Sequence, residues 1–245
     1  MEKSLSVLVL ALNEERSIIQ CLEGLFHACQ GCPGPYEIIV VNDGSTDRTL
    51  EFAQEFAVNH PQIRVVSNEK NLGFGGAFKR GLQEAKMNYC TLVGAVNENE
   101  KNSLRQIYSE IGKADLILSY VANPETRSPF RRIMSTAYVK LVNFLFGYRL
   151  KFYNGANIYP TKKLRERDFT NSHGFYVEIL IRLLDEGFSY KEVPLVLQPR
   201  RHKHSRAFRP KNVILVVWTL VRIYVNRFLK AEKRKNPKES GSLQK

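Results

Sequence analysis

Short, unbroken apolar runs separated by helical segments constrain this chain more than any other feature. Leu5 to Leu12 reads LSVLVLAL, and residues 36–42 read YEIIVVN. Runs of this length without polar alternation are strands buried on both faces. Residues 63–67, 89–94 and 114–120 repeat the signal. Between them, 14–28, a segment from about 45 to Val58, and 73 to Lys86 carry helical spacing, with Ser45, Thr46 and Asp47 available as caps for the second helix. Strands alternating with helices in this way predict an α/β domain: a mainly parallel sheet with helices on both faces. Ligands of such sheets bind beyond the carboxyl ends of the strands. That rim would carry 12–15, 42–45 and 94–98.

The second half changes character. Residues 128–147 predict an amphipathic helix with a basic start, 152–160 (FYNGANIYP) a turn-rich connection, and 173–186 a further helix. Residues 190–199 predict an edge strand, because Pro194 cannot donate to a ladder. No repeat or long linker divides the chain, so 1–209 is expected to form one domain. Residues 213–229 carry too short an apolar run to span a bilayer. Thr219, Arg222, Asn226 and Arg227 form a polar stripe, and Trp218, Leu220, Ile223, Tyr224 and Phe228 supply apolar surface. An amphipathic helix at a membrane interface, over 210–230, fits this pattern. Packing on the protein's own sheet, or in a homo-oligomer, fits it too.

Charge sharpens the reading. The net charge is +13, and residues 200–245 hold 14 Lys/Arg against two Glu, so nearly all the excess is there. Residues 231–245 read as a basic, disordered tail, suited to anionic lipid. A nucleic-acid arm fits less well, because no aromatic residue is interleaved after Phe228. Of the four cysteines, Cys29 and Cys32 have CxxC spacing without a second pair, which points to loop cysteines rather than zinc. With Met1 leading directly into a strand and no signal peptide, a cytoplasmic setting is expected, peripheral on the inner membrane face.

Three rim elements then carry chemistry. Asn42-Asp43-Gly44-Ser45 puts a carboxylate, able to accept from a base or ribose, beside a glycine that permits a tight turn. Leu12-Asn13-Glu14-Glu15 lies one strand earlier. Residues 71–77 (NLGFGGA) supply glycines, Gly75 among them, for close backbone approach, followed by a helix start and the cations Lys79 and Arg80.

In this order and spacing, ALNEE, VVNDGSTDRT and NLGFGGAFKRGL resemble glycosyltransferase family 2, and YNGANIYP and GFYVEILIRLLDEGFSYKEVPL extend the likeness over most of the chain. The nearest branch resembles the polyprenyl-phosphate sugar transferases of the dolichyl-phosphate mannose and undecaprenyl-phosphate type. The resemblance implies a GT-A fold, a nucleoside-diphosphate-sugar donor, inversion at the anomeric carbon and a polyprenyl phosphate acceptor. Leu12, Asn13, Glu14 and Asp43 would hold the nucleoside. The family's Asp-x-Asp element, which binds Mg²⁺ or Mn²⁺, aligns with Gly94 to Val96, and valine cannot ligate a hard cation. Glu98 and Asn97 are left as ligands of a reduced site. On the acceptor side, Arg131 and Ser135 share a helix face, with Arg132 adjoining. Arg200, Arg201, His204 and Ser205 match a phosphate-covering loop, with Lys203 in place of its glycine and His204 in place of its lysine. Glu178 matches a carboxylate that orients the sugar. The competing reading is a catalytically silent relative that binds nucleotide or lipid phosphate and regulates a partner.

Overall fold

The computed structural model describes residues 2–199 and 210–235. Arg200, Arg201, His204 and Ser205 lie outside the described residues, as does the end of the basic tail.

Five strands form where the apolar runs predict them: β1 (Leu5–Ala11), β2 (Tyr36–Asn42), β3 (Ile63–Ser67), β4 (Tyr89–Gly94) and β5 (Leu116–Val121). Two more complete the sheet, β6 (Ile158–Pro160) and β7 (Tyr190–Leu195), in the order β3-β2-β1-β4-β6-β5-β7. β6 runs antiparallel between β4 and β5, and the other pairs are parallel. β6 replaces part of the expected turn-rich connection. β7 is an edge strand, as Pro194 requires.

Alternate residues of β1 feed two cores. Leu5, Val7 and Val9 pack with α1 (Ile18–Cys29), α2 (Thr49–Val58) and α4 (Lys101–Ser109). Leu8 and Leu10 pack on the opposite face with α3 (Phe74–Glu84), α5 (Pro129–Phe146), α7 (Phe175–Asp185) and α8 (Pro210–Lys235). Burial on both faces is why the strands lack polar alternation. A short α6 (Thr161–Arg165) follows β6.

Strand order reverses between β1 and β4: the chain builds outward through β2 and β3, then returns to β1's other side. The carboxyl ends of β1 and β4 therefore splay around a crevice.

α1 starts four residues later than its spacing suggests. Asn13 adopts φ 55°, and three successive backbone N–H groups, of Asn13, Glu14 and Glu15, donate to Ser45 Oγ (3.0 Å), Thr49 Oγ1 (2.7 Å) and Asp47 Oδ2 (3.2 Å). Asn13 Oδ1 and Glu15 Oε2 accept in return from the N–H groups of Thr46 and Arg48. Side chains expected to cap α2 thus hold the β1–α1 turn, and α2 begins only at Thr49.

α8 is longer than expected, running through Lys235 into the segment read as tail. Its orientation is also distinctive. Thr219 is buried against Gly174, Arg222 pairs with Glu178 on α7 (2.7 Å), and Arg227 pairs with Asp185 (3.2 Å) and donates to the Phe146 carbonyl (2.7 Å). Much of the polar stripe faces the protein, and Ile214, Trp218, Val221 and Val225 face outward. No helix among the described residues is long and apolar enough to cross a membrane.

Candidate active site at the carboxyl edge of the sheet

A cavity of about 740 Å³ occupies the crevice between β1 and β4, within the range of small-molecule sites. Its floor is Leu10 to Leu12 and Gly94 to Val96. Glu14, Asp43, Asn71, Gly73 and Phe74 close one side. Arg127, just ahead of α5, and Arg131 and Ser135 in its first two turns line another side. Beyond them the walls become apolar, with Met134, Tyr138 and Leu141 of α5 facing Val213, Val216, Val217 and Leu220 of α8.

Asp43 is buried, and its Oδ1 accepts from Asn68 Nδ2 and from the backbone N–H of Leu72, both at 2.9 Å. These bonds fix the carboxylate and tie the 71–74 turn to the end of β2. No described residue donates to Oδ2. Gly44 has φ 71°, and a Cβ there would lie 2.8 Å from the Asn71 nitrogen, so the turn needs glycine on both counts. Asn42 is structural: its Nδ2 donates to Ser67 Oγ (2.8 Å), and its Oδ1 accepts from Ser45 N (3.3 Å).

Other expected site residues stand elsewhere. Asn13 lies outside the cavity lining and clasps the 45–49 loop. Gly75 serves packing: its N–H donates to the Asn171 carbonyl, and a Cβ there would lie 2.5 Å from the Thr170 oxygen. Lys79 pairs with Asp168 at 2.6 Å over the Phe169 ring, away from the cavity. Arg132 is exposed and does not line it. Glu178, expected to orient a sugar, is 0% exposed and does not line the cavity. It holds Arg182 (2.5 Å), Arg222 (2.7 Å) and the Thr170 N–H (2.9 Å), a hub that fastens α8.

The expected metal ligands do not converge. Gly94, Ala95 and Val96 offer no side-chain oxygen. Asn97 adopts φ 51°, and its Oδ1 lies 3.9 Å from where a Cβ on Gly24 would stand, beneath α1 and outside the cavity lining. Glu98 does face the cavity, but with the Arg131 guanidinium 3.7 Å away. Among the described residues, no three His, Cys, Asp or Glu cluster as a metal site would require. A hard divalent cation needs several oxygen ligands, and a neighbouring guanidinium repels it. The described residues do not fit the family's metal.

An aromatic platform went unread in the sequence. His173 stacks on Phe74, ring centroids 4.9 Å apart and 4° from parallel, with Tyr176 beside them. All three line the cavity. Burial pushes the His173 imidazolium below its ordinary pKa, so the ring is held neutral. Phe152, Asn154 and Gly155 also reach the cavity, carried there by the turn before β6. The signal available was NGAN beside a strand end, but it reads equally as an ordinary turn.

Fold and site together define a GT-A-type α/β domain with a nucleotide-sized crevice. Solved structures of glucosyl-3-phosphoglycerate synthase from Mycobacterium tuberculosis share the fold. The complex with UDP gives a TM-score of 0.69 at 20% identity, over 91% of this chain and 80% of that one. A complex with Mn²⁺, UDP-glucose and phosphoglyceric acid gives 0.68 at 20% identity and the same coverage. The chain matches the Glycosyl transferase family 2 over residues 6–174 and belongs to that family. Its relatives include a dolichyl-phosphate beta-glucosyltransferase of Trichomonas vaginalis, 26% identical over 65% of this chain and 52% of the relative. Another is a dolichyl-phosphate beta-glucosyltransferase of Saccharomyces cerevisiae, 24% identical over 78% and 66%. A third is an undecaprenyl-phosphate 4-deoxy-4-formamido-L-arabinose transferase of Pseudomonas fluorescens, 25% identical over 88% and 63%. The matched regions span between about half and two-thirds of these relatives.

Proposed function

We propose that this protein transfers a hexose from a nucleoside-diphosphate sugar to a polyprenyl phosphate, at the cytoplasmic face of a membrane. The observation that carries the reading is the cavity's polarity. One end holds Leu12, Glu14, Asp43 and Asn71 at the switch point, where a nucleoside fits. The other is an apolar passage between α5 and α8, where an isoprenoid chain fits. Arg131 and Ser135 stand between the two ends, where phosphates would meet. The relatives named for dolichyl and undecaprenyl phosphate support the same acceptor class.

In this reading the lipid phosphate oxygen attacks the anomeric carbon, and the bond from that carbon to the donor's β-phosphate oxygen breaks. The electron pair leaves with the nucleoside diphosphate, and the sugar is inverted. A phosphate monoester with its second pKa near ~6 is largely ionised at neutral pH. The nucleophile therefore needs orientation and charge balance more than a general base.

Labelled UDP- and GDP-hexoses incubated with the protein and polyprenyl phosphate in vesicles test this. Label is expected in the lipid phase, and Asp43→Asn is expected to reduce it by about tenfold or more, the scale of one charged hydrogen bond. Vesicles that stay unlabelled with every donor would contradict the reading.

A further inference from the structure

We infer that Arg131 supplies the positive charge on the donor diphosphate that a divalent cation supplies in the family, and that Glu98 is its counter-ion rather than a metal ligand. The inference rests on the nucleotide site proposed above and assigns its electrostatics.

Three observations converge on Arg131. The β4 end from Gly94 to Val96 carries no carboxylate, so nothing there draws a cation to the cavity floor. Glu98, the cavity-lining carboxylate that follows β4 in the chain, lies 3.7 Å from the Arg131 guanidinium, and each side chain is 21% exposed. A cation placed on Glu98 would have to displace or repel that guanidinium. Third, Arg131 sits in the first turn of α5, which Ser128 caps through the Arg131 N–H. The positive end of the helix dipole therefore adds to the side chain's charge.

The chemistry suits the exchange. A guanidinium presents five N–H donors in a planar fork and can hold a carboxylate and a phosphate oxygen together. Glu98 then keeps Arg131 at the cavity while the site is empty. As the anomeric bond breaks, charge grows on the β-phosphate oxygen of the departing nucleoside diphosphate. A guanidinium held beside that oxygen stabilises the charge without metal exchange. Ser135, one turn along α5, is left to the acceptor phosphate.

The test titrates UDP and GDP into the protein with EDTA or with Mn²⁺, and follows free Mn²⁺ by electron paramagnetic resonance. For the nucleotide that binds, affinity is expected to agree within about twofold between EDTA and Mn²⁺, with the protein lowering free Mn²⁺ no further than the same nucleotide does alone. Arg131→Met, which retains much of the stem's bulk, is expected to weaken binding by about tenfold or more with little change in melting temperature. Arg131→Lys should recover part of the loss. Val96→Asp restores a carboxylate to the β4 end, and its nucleotide complex is expected to take up Mn²⁺ where the unaltered protein does not. Loss of affinity on chelation, with the unaltered protein capturing Mn²⁺ beyond what the nucleotide alone takes up, would overturn the inference and leave the transferase reading standing. So would unchanged affinity in Arg131→Met. Failure of both nucleotides to bind under any condition would remove the site reading and the inference with it.

Discussion

His173 shows how a single side chain couples the cavity to pH. Its ring stacks on Phe74 and is held neutral by burial. The folded pKa lies below the ordinary 6.5, so as pH falls the unfolded chain takes up this proton first. Stability must therefore decline on acidification from about pH 7 toward the lowered value. The lowered carboxylates Glu37 and Asp47 do not interfere. Burial raises them, but the hydrogen bonds they accept outweigh it, and their contribution is lost only below 4.5 and 3.8 respectively. His173→Gln is expected to lessen the fall in melting temperature between about pH 7.5 and 5.5. Identical pH profiles for the two proteins would contradict this. Residue-level legibility was uneven for a physical reason. Asp43 and Gly44 could be read because few residues suit a strand-end turn. Asn13, Gly75 and Lys79 could not be placed, because their partners at 45–46, 168 and 171 are set by tertiary packing.

At the scale of elements, α8 is the clearest case. The apolar runs revealed five strands because burial on both faces leaves a continuous pattern. β6 stayed hidden because three residues in a turn-rich stretch have no period, and it is defined by its pairing with Tyr89, Cys90, Thr91 and Ile117. The polar stripe of α8 was legible, but not its direction, because the carboxylates it meets belong to α7. Glu178 decides that direction. Glu178→Ala removes the shared partner of Arg182 and Arg222, whose side chains are 37% and 33% exposed. Breaking a buried pair costs about 3–5 kcal/mol, and partial rehydration of the two arginines puts this case near ~3 kcal/mol. Arg222→Ala should cost less, since Arg182 still neutralises Glu178. Chemical denaturation measures both, and faster amide exchange in α8 should accompany each loss. A Glu178→Ala protein as stable as the unaltered one would show that α8 is held by other contacts.

For the whole molecule, α5 and α8 flank the apolar end of the cavity and turn apolar side chains outward. Phe130, Ile133 and Phe144 are exposed on α5, and Ile214, Trp218, Val221 and Val225 form a stripe on α8. Trp218 is 62% exposed and Val221 56%. Exposed apolar surface of this extent marks an interaction site, and the cationic 200–245 region suits an anionic bilayer. Flotation with phosphatidylserine vesicles is expected to carry the protein upward, less so at high salt. Trp218→Asp with Val221→Asp should reduce binding by at least about tenfold, since each side chain buried in lipid is worth about 1.5–3 kcal/mol. Protein that does not float would contradict membrane binding, and equal flotation of the double variant would contradict its placement on the α8 stripe.

The most direct measurement of the central claim is the structure of this protein with bound UDP or GDP. The base is expected beside Leu12 and Asp43 and the diphosphate against Arg131, inside the crevice between β1 and β4. A nucleotide found outside that crevice, with Asp43 untouched, would contradict it.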